Sequence, residues 1–386
     1  MKFAQRLQEQ KNIHWFTVGR LIRAKQDEGV KTISLASGNP DLPTPPAVVE
    51  ALLTAASEPT YLRYPFSFQT ELSQATATWY RQRFDVELDP ATEVYPQAGS
   101  QQAIGNLSLA VMEPGAVALV PDPAYGSYAR SCRFAGGEVY RLRLLEENGY
   151  LPDLSAVPEE VLARARLLWL NYPNNPTGAV APLSFFREVV GFARQYDILG
   201  CHDNAYSDVT FDGYIAPSFM AVEGAREVGI ELNTLSKAFN MAGWRVGMAV
   251  GKPVVLTALA EVGFNTSMGL YGPSQLAAIE ALTGDQSWTV ERNQIYQQRR
   301  DIIVEGLRAI GLETNYPKAT LYVWAKLPED YPDSLEFSKW VLDKTGVWLT
   351  SGIFFGQGGE GFVRASLTVP TEALREAMER LQTLKL

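Results

Sequence analysis

Lys237 closes the run Thr234-Leu235-Ser236-Lys237, at the end of the apolar stretch from Val228 to Leu235 and eight residues before Arg245. The segment between the two cations, Ala238-Phe239-Asn240-Met241-Ala242-Gly243-Trp244, is uncharged. A primary amine can form an imine with a carbonyl group, and flanking hydroxyls with one guanidinium can hold a phosphate. The pattern therefore suits a covalent imine with an anionic cofactor. On spacing alone, a solvated surface lysine is the commoner case.

Three upstream segments add to it. Asn171-Tyr172-Pro173-Asn174-Asn175-Pro176-Thr177-Gly178 follows the apolar run Leu167-Leu168-Trp169-Leu170. That reads as a buried strand ending in a loop, although a bare Asn-Pro marks only a turn. In Ile198-Leu199-Gly200-Cys201-His202-Asp203-Asn204-Ala205-Tyr206 an acid ends another apolar run. A buried Asp needs a cation or a hydrogen-bond donor, unless it merely caps the next helix. Ala98-Gly99-Ser100-Gln101-Gln102-Ala103 reads as a turn opening a helix. Backbone N–H groups at a helix N-terminus bind phosphate.

In this order the segments resemble the pyridoxal 5′-phosphate (PLP) dependent aminotransferases of fold type I, from Leu35-Ala36-Ser37-Gly38-Asn39-Pro40-Asp41 to Arg364. Ser34 to Pro45, Cys201 to Asp203, Ser207 to Phe219, Met241 to Arg245 and Ser366 to Pro370 look closest to the LL-diaminopimelate aminotransferase-like group. The resemblance implies an α/β fold: a large domain with a mostly parallel seven-stranded sheet between helices, plus a smaller α+β domain. It implies that Lys237 forms the imine and that Asp203 pairs with the pyridine nitrogen. Tyr206 and Asn175 would donate to the ring hydroxyl, and Tyr125 would stack on the ring, its alternative being a core tyrosine. Ser100, Gln101, Thr234, Ser236 and Arg245 would hold the phosphate. Tyr64 matches a tyrosine donated by the neighbouring subunit, which implies a homodimer with shared sites. Arg364, with Asn175 beside it, matches the reader of the substrate carboxylate, and Gly38 the small residue whose backbone lies near the substrate.

Two stretches depart from the group. Phe66 to Gln74 lacks the usual glycine and Leu-Arg pair, and Asn265 to Gly269 lacks an acid. Both approach the distal substrate pocket in the family. The expected reaction is transfer of an amino group from an amino acid to a 2-oxo acid, with LL-diaminopimelate and 2-oxoglutarate as the leading pair. A smaller donor such as aspartate or alanine, or a PLP-dependent C–S lyase, stays open. A regulatory protein on this scaffold is disfavoured, since no helix-turn-helix segment precedes residue 30.

The elements that must position these residues show in the apolar pattern. Val117–Val120, Leu167–Leu170, Ile198–Cys201, Ile230–Leu235 and Met248–Val250 read as strands. Phe185, Val189, Phe192 and Tyr196 mark one face of a helix between two of them. Such alternation predicts a parallel sheet, with ligands beyond the carboxyl ends of the strands. Ser287 to Ile310 reads as a long helix, Thr320 to Trp324 as a strand, and Thr371 as the cap of a last helix whose apolar face is Leu374, Met378 and Leu381. Residues 46–280 are expected to form the large PLP-binding domain, and 1–45 with 281–386 the arm and small domain.

With 386 residues, 46% of them hydrophobic, the chain can bury two cores. Its net charge of −9 argues against nucleic acid or an anionic membrane as partner. The two cysteines and two histidines are too dispersed for a metal site. Cys201 reads as a reduced core thiol, and His202 as pointing to the opposite face of its strand from Asp203. The N-terminus has no long apolar segment and no stretch is long enough to span a bilayer, so the expected location is cytoplasmic. Gly356-Gln357-Gly358-Gly359-Glu360-Gly361 imitates a dinucleotide-binding fingerprint, but it precedes an expected strand, Phe362 to Val369, instead of opening a helix.

Overall fold

The protein is seen in a computed structural model that describes residues 3–8, 13–64 and 69–384. Seven strands form the large sheet: β1 (Val94–Gln97), β2 (Val117–Asp122), β3 (Glu138–Arg143), β4 (Ala165–Leu170), β5 (Leu199–Asp203), β6 (Gly229–Thr234) and β7 (Gly247–Gly251). Their order is β1-β7-β6-β5-β4-β2-β3. All run parallel except β7, which opposes both its neighbours. The inner strands are apolar without alternation because both faces are covered. Side chains nevertheless divide with period two. Leu167 and Trp169 enter one core, while Leu168 and Leu170 enter the other.

Helix α1 (Ser100–Val111) and helix α2 (Ser127–Phe134) supply Ala103, Leu107, Tyr128 and Cys132 to the first core. Helix α3 (Leu183–Tyr196) covers the second through Phe185, Phe186, Val189 and Val190. The expected stripe is thus rotated: Phe192 is only partly buried against that core, and the exposed Tyr196 ring lies tilted against it, the centroids 5.0 Å apart. Two strands escape a periodicity reading. β1 carries Pro96 and β3 alternates charges, and both are edge strands, where such residues are tolerated.

A second sheet is built from β8 (Glu313–Thr314), β9 (Tyr322–Lys326), β10 (Thr350–Ser351) and β11 (Phe362–Ser366), antiparallel in the order β10-β11-β9-β8. Helices α4 (Ser287–Ala309) and α5 (Thr371–Leu381) pack on it through Ile303, Val304, Leu307, Leu374 and Met378. At Gly306 the two helices come so close that a Cβ would lie 2.4 Å from Met378 Sδ. Thr371 does not cap α5. Pro370 holds that position, and the Thr371 hydroxyl accepts from Arg299 Nε at 3.3 Å. The glycine-rich run serves close approach: Gly358 N donates to Asp122 Oδ1 at 3.0 Å, and a Cβ on Gly356 would sit 2.0 Å from that oxygen. Among the described residues no helix is long and apolar enough to cross a membrane.

His202 and Asp203 point to opposite faces of β5, as alternation requires. His202 lies opposite Glu231 of β6, both fully buried. A carboxylate can only accept, so His202 Nδ1, at 2.8 Å, carries the proton. Glu231 also accepts from Tyr80 Oη, Ser218 Oγ and Phe219 N, at 2.9, 2.7 and 2.7 Å. Burial disfavours its charge, but these donors win and hold the carboxyl below the usual range. A depressed folded-state pKa adds stability that is present above the unfolded value and lost as pH falls through and below it. Glu231→Gln should therefore cost about 3 kcal/mol at neutral pH in urea unfolding. The gap to the unsubstituted protein should narrow once the pH drops below about 4.

Candidate active site

Five connections meet beyond the carboxyl edge of the large sheet. Asn171 to Asn175 follow β4, Asp203 ends β5, and Thr234 ends β6. Gly99 and Ser100 follow β1, and Tyr125 follows β2. Because β7 runs backward, Arg245, just before its start, returns to the same edge. Gly38 and Arg364 reach in from the side of the second sheet. All twelve of these residues that the sequence singled out within one subunit (Gly38, Ser100, Gln101, Tyr125, Asn175, Asp203, Tyr206, Thr234, Ser236, Lys237, Arg245 and Arg364) line one cavity of about 370 Å³. Tyr64 does not; it lies on the surface, 71% exposed. Asn265 to Gly269 stay outside the cavity wall too, although Ser267 Oγ accepts from Gln102 Nε2 at 2.5 Å, one residue from Gln101. Of the other departing stretch, Phe66 to Phe68 lie outside the described residues.

Asp203 is buried, and its Oδ2 accepts from Tyr128 Oη at 2.7 Å. Its Oδ1 has no hydrogen-bond partner among the described residues. An unpaired buried carboxylate oxygen is costly, so this atom is a socket for a donor or a cation. Burial pushes the Asp203 carboxyl up to about 6, against the opposing pull of Tyr128 and His202. Asn171 fixes the backbone here, donating from Nδ2 to Asp203 O at 2.8 Å and accepting from Asn175 N at 2.8 Å.

Lys237 sits in the single helical turn Leu235–Ala238, whose N-cap is the Thr234 hydroxyl. Its Nζ donates to Gly38 O at 2.5 Å. Burial, with Arg364 and Arg245 nearby, lowers its pKa, which raises the share of neutral, nucleophilic amine. At the other end of the cavity, α1 begins at Ser100 with no side-chain cap. Gln102 N and Ala103 N donate to Gly99 O, which leaves the N–H groups of Ser100 and Gln101 to face an anion. Gly99 has φ +80°, and a Cβ there would lie 2.7 Å from Arg245 Nη2. Glycine thus lets the guanidinium close over the helix start. Arg245 itself takes a left-handed φ of 58°, uncommon outside glycine.

Arg364 is buried on β11. Its Nη1 donates to Asn175 Oδ1 at 2.8 Å and its Nη2 to Ala36 O at 2.6 Å, while Nε has no hydrogen-bond partner among the described residues. Tyr125 Oη and Ser127 Oγ both donate to Gln101 Oε1, at 2.7 and 2.9 Å, which ties the Tyr125 ring to the start of α1. Sequence reading missed Tyr128, Tyr322 and Phe355. Tyr128 lies one helical turn after Tyr125, and only the strand pairing brings its hydroxyl to Asp203.

Residues 30–381 match the family model of the class I and II aminotransferases. The chain belongs to that family. It is 46% identical to an LL-diaminopimelate aminotransferase of Dehalococcoides mccartyi, over all of this chain and 99% of the relative. Apo-BacF from Bacillus subtilis is similar with a TM-score of 0.96 at 37% identity, covering 100% of this chain and 99% of that one. A mutant aspartate aminotransferase of Thermus thermophilus reaches a TM-score of 0.92 at 31% identity, over 99% of each chain. The protein is therefore an aminotransferase of fold type I, and PLP is its expected cofactor. The cavity fits that group: an orphan carboxylate oxygen suits a protonated ring nitrogen, and an uncapped helix start beside an arginine suits a phosphate.

PLP affinity of the aminotransferase should weaken as pH falls below about 6, because a protonated Asp203 cannot pair with a ring cation. Asp203→Asn should bind PLP more weakly at neutral pH and lack that step. Fluorescence titration of apo-protein with PLP from pH 5 to 8 checks both. Identical curves for the two proteins would remove Asp203 from the site.

Proposed function

We propose that this aminotransferase takes LL-diaminopimelate as amino donor and 2-oxoglutarate as acceptor, and works as a homodimer. Similarity over the full chain to LL-diaminopimelate aminotransferases carries the donor assignment. In this reading PLP, when bound, supplies the electron-withdrawing ring that makes proton removal from the amino acid feasible. Lys237 provides the amine that anchors the cofactor and then moves the proton at the substrate α-carbon, since it is the one lysine among the described residues that line the cavity and its basicity is lowered by burial. Asp203 Oδ1 holds the ring nitrogen protonated. Asn175 has its carbonyl oxygen committed to Arg364, so it can offer N–H to the ring hydroxyl, together with Tyr206. Tyr125 covers the ring. The free N–H groups at Ser100 and Gln101, with Thr234, Ser236 and Arg245, hold the phosphate. Arg364 reads the substrate carboxylate through its planar fork, with Gly38 keeping the approach open.

The dimer rests on surface chemistry next to the cavity. Leu53, Leu62, Tyr64 and Tyr271 are 65, 55, 71 and 56% exposed. A hollow of about 500 Å³ lined by Leu52, Trp244, Leu270 and Tyr271 adjoins Arg245. Clustered exposed apolar groups of this kind mark an interface, and a second copy would bring Tyr64 to the partner's phosphate site. With no membrane-crossing helix among the described residues, a cytoplasmic location agrees with this reading.

Stopped-flow spectra of the PLP-loaded protein mixed with single amino acids test the donor. LL-diaminopimelate should convert bound PLP to its amine form faster than glutamate, aspartate or alanine do, and pyruvate plus ammonia should not appear. Brisk conversion by another donor beside none by LL-diaminopimelate would remove the assignment. Mixing Tyr64→Phe subunits with Lys237→Ala subunits should give more activity than either parent, because one heterodimer site is complete. An active monomer in sedimentation would end the shared-site reading.

A further inference from the structure

Tyr322 opens β9 and pairs in register with Ser366, two residues beyond Arg364 on β11. It is only 3% exposed, yet it lines the cavity. The Arg364 guanidinium carbon lies 3.9 Å from the centroid of its ring and 4.6 Å from that of Phe355. The Tyr322 hydroxyl is 3.1 Å from that of Tyr206. A Cβ on Gly38 would lie 1.8 Å from the same hydroxyl, so this tyrosine is what requires glycine there.

The backbone leading to Tyr322 is unusual as well. Thr320 is fully buried with φ +81°, a conformation rare for a β-branched residue. Its N donates to Val209 O at 2.9 Å, and its hydroxyl accepts from Tyr322 N at 3.2 Å. Strained backbone persists where the surroundings over-determine it, commonly beside a functional group. Here it delivers Tyr322.

The two phenols are unequal. Burial pushes Tyr206 up. Burial also acts on Tyr322, but Arg364 and Lys237 outweigh it and bring that phenol below its ordinary value. Either hydroxyl can donate in this contact. A hydroxyl has one proton, so where Tyr206 gives its own to a ligand, the bond between the two phenols is one that Tyr322 donates.

We propose that Tyr322 is a further positioning residue of the site: its ring holds Arg364 in the orientation that receives the substrate carboxylate, and its hydroxyl, by donating to Tyr206, aims and strengthens the proton that Tyr206 offers to the cofactor's phenolic oxygen. The hydroxyl role rests on the reading above that Tyr206 faces that oxygen. Successive hydrogen bonds polarise one another, so losing the first weakens the second. A less stabilised phenolic oxygen is more basic and retains the proton it shares with the Lys237 nitrogen to higher pH.

The test is a visible-absorbance pH titration of the PLP-loaded protein and its Tyr322→Phe, Tyr206→Phe and double variants, with KM measured for several amino acids on Tyr322→Phe and Tyr322→Leu. Tyr322→Phe should move the titration midpoint upward, Tyr206→Phe should move it further, and the double variant should match Tyr206→Phe. Tyr322→Leu, which loses the ring, should raise KM for every amino acid by about ten-fold, and more than Tyr322→Phe does. A Tyr322→Phe midpoint equal to the unsubstituted protein's, or a shift that persists in the Tyr206→Phe background, overturns the hydroxyl role. Unchanged KM in Tyr322→Leu overturns the ring role. A Tyr206→Phe midpoint equal to the unsubstituted protein's overturns the reading of Tyr206 itself and the hydroxyl role with it, leaving the ring role to stand on KM.

Discussion

A buried carboxylate with one oxygen satisfied and the other left open is the constraint from which the site follows. In the interior, Asp203 has one carboxylate oxygen held by the Tyr128 hydroxyl and its backbone carbonyl held by the Asn171 side chain. The bare oxygen costs free energy until a cation or donor meets it. That cost is the physical form of cofactor specificity here, since a neutral ring without a proton to share would leave it unrelieved. On the other face of the same strand, His202 and Glu231 close their own network completely. One strand thus carries a finished polar cluster behind the sheet and an unfinished one in front of it.

The sheet topology turns this single acid into a site. Parallel strands place their carboxyl ends on one edge, so loops far apart in the chain converge there. The reversed β7 extends the rule to a residue that precedes its strand and brings Arg245 to the start of α1. The substrate side is made differently. Arg364 comes from the second sheet and touches the large one through Asn175. Gly38 lies between Lys237, which donates to its oxygen, and Tyr322, which leaves no room for a side chain. Carboxylate recognition and cofactor chemistry are therefore coupled through a handful of contacts across the cleft.

Uncommon backbone conformations occur at this junction too. Arg245 and Thr320 both take positive φ, and Gly99 does so where a Cβ would meet Arg245. Arg245 itself faces the cavity, and Gly99 and Thr320 sit one and two residues before a group that does. Local propensity yields there to the geometry the ligand requires, and the packing around it sustains the strain.

Much of this was legible in the chain itself. The apolar runs named the inner strands, and a run ending in Asn, Asp or Lys marked the edge where ligands gather. The spacing of Lys237 and Arg245, the loop through Asn175 and the turn at Gly99 marked segments that do line one cavity, because chemistry on an anionic group demands particular residues at short range. Edge strands β1 and β3 were hidden, since solvent relieves them of the apolar pattern. The rotation of α3 and the role of Thr371 depended on which neighbours arrived. Tyr128 and Tyr322 carry no local signal: a tyrosine in a helix or at a strand start looks like core. Only the pairing of β5 with its neighbours sets the first against Asp203, and only the register of β9 with β11 sets the second against Arg364. Sequence determines which groups exist and what stretches they end. Tertiary structure decides which of them meet, because contacts between distant segments are set by sheet order and register, and neither is written in any short run of residues.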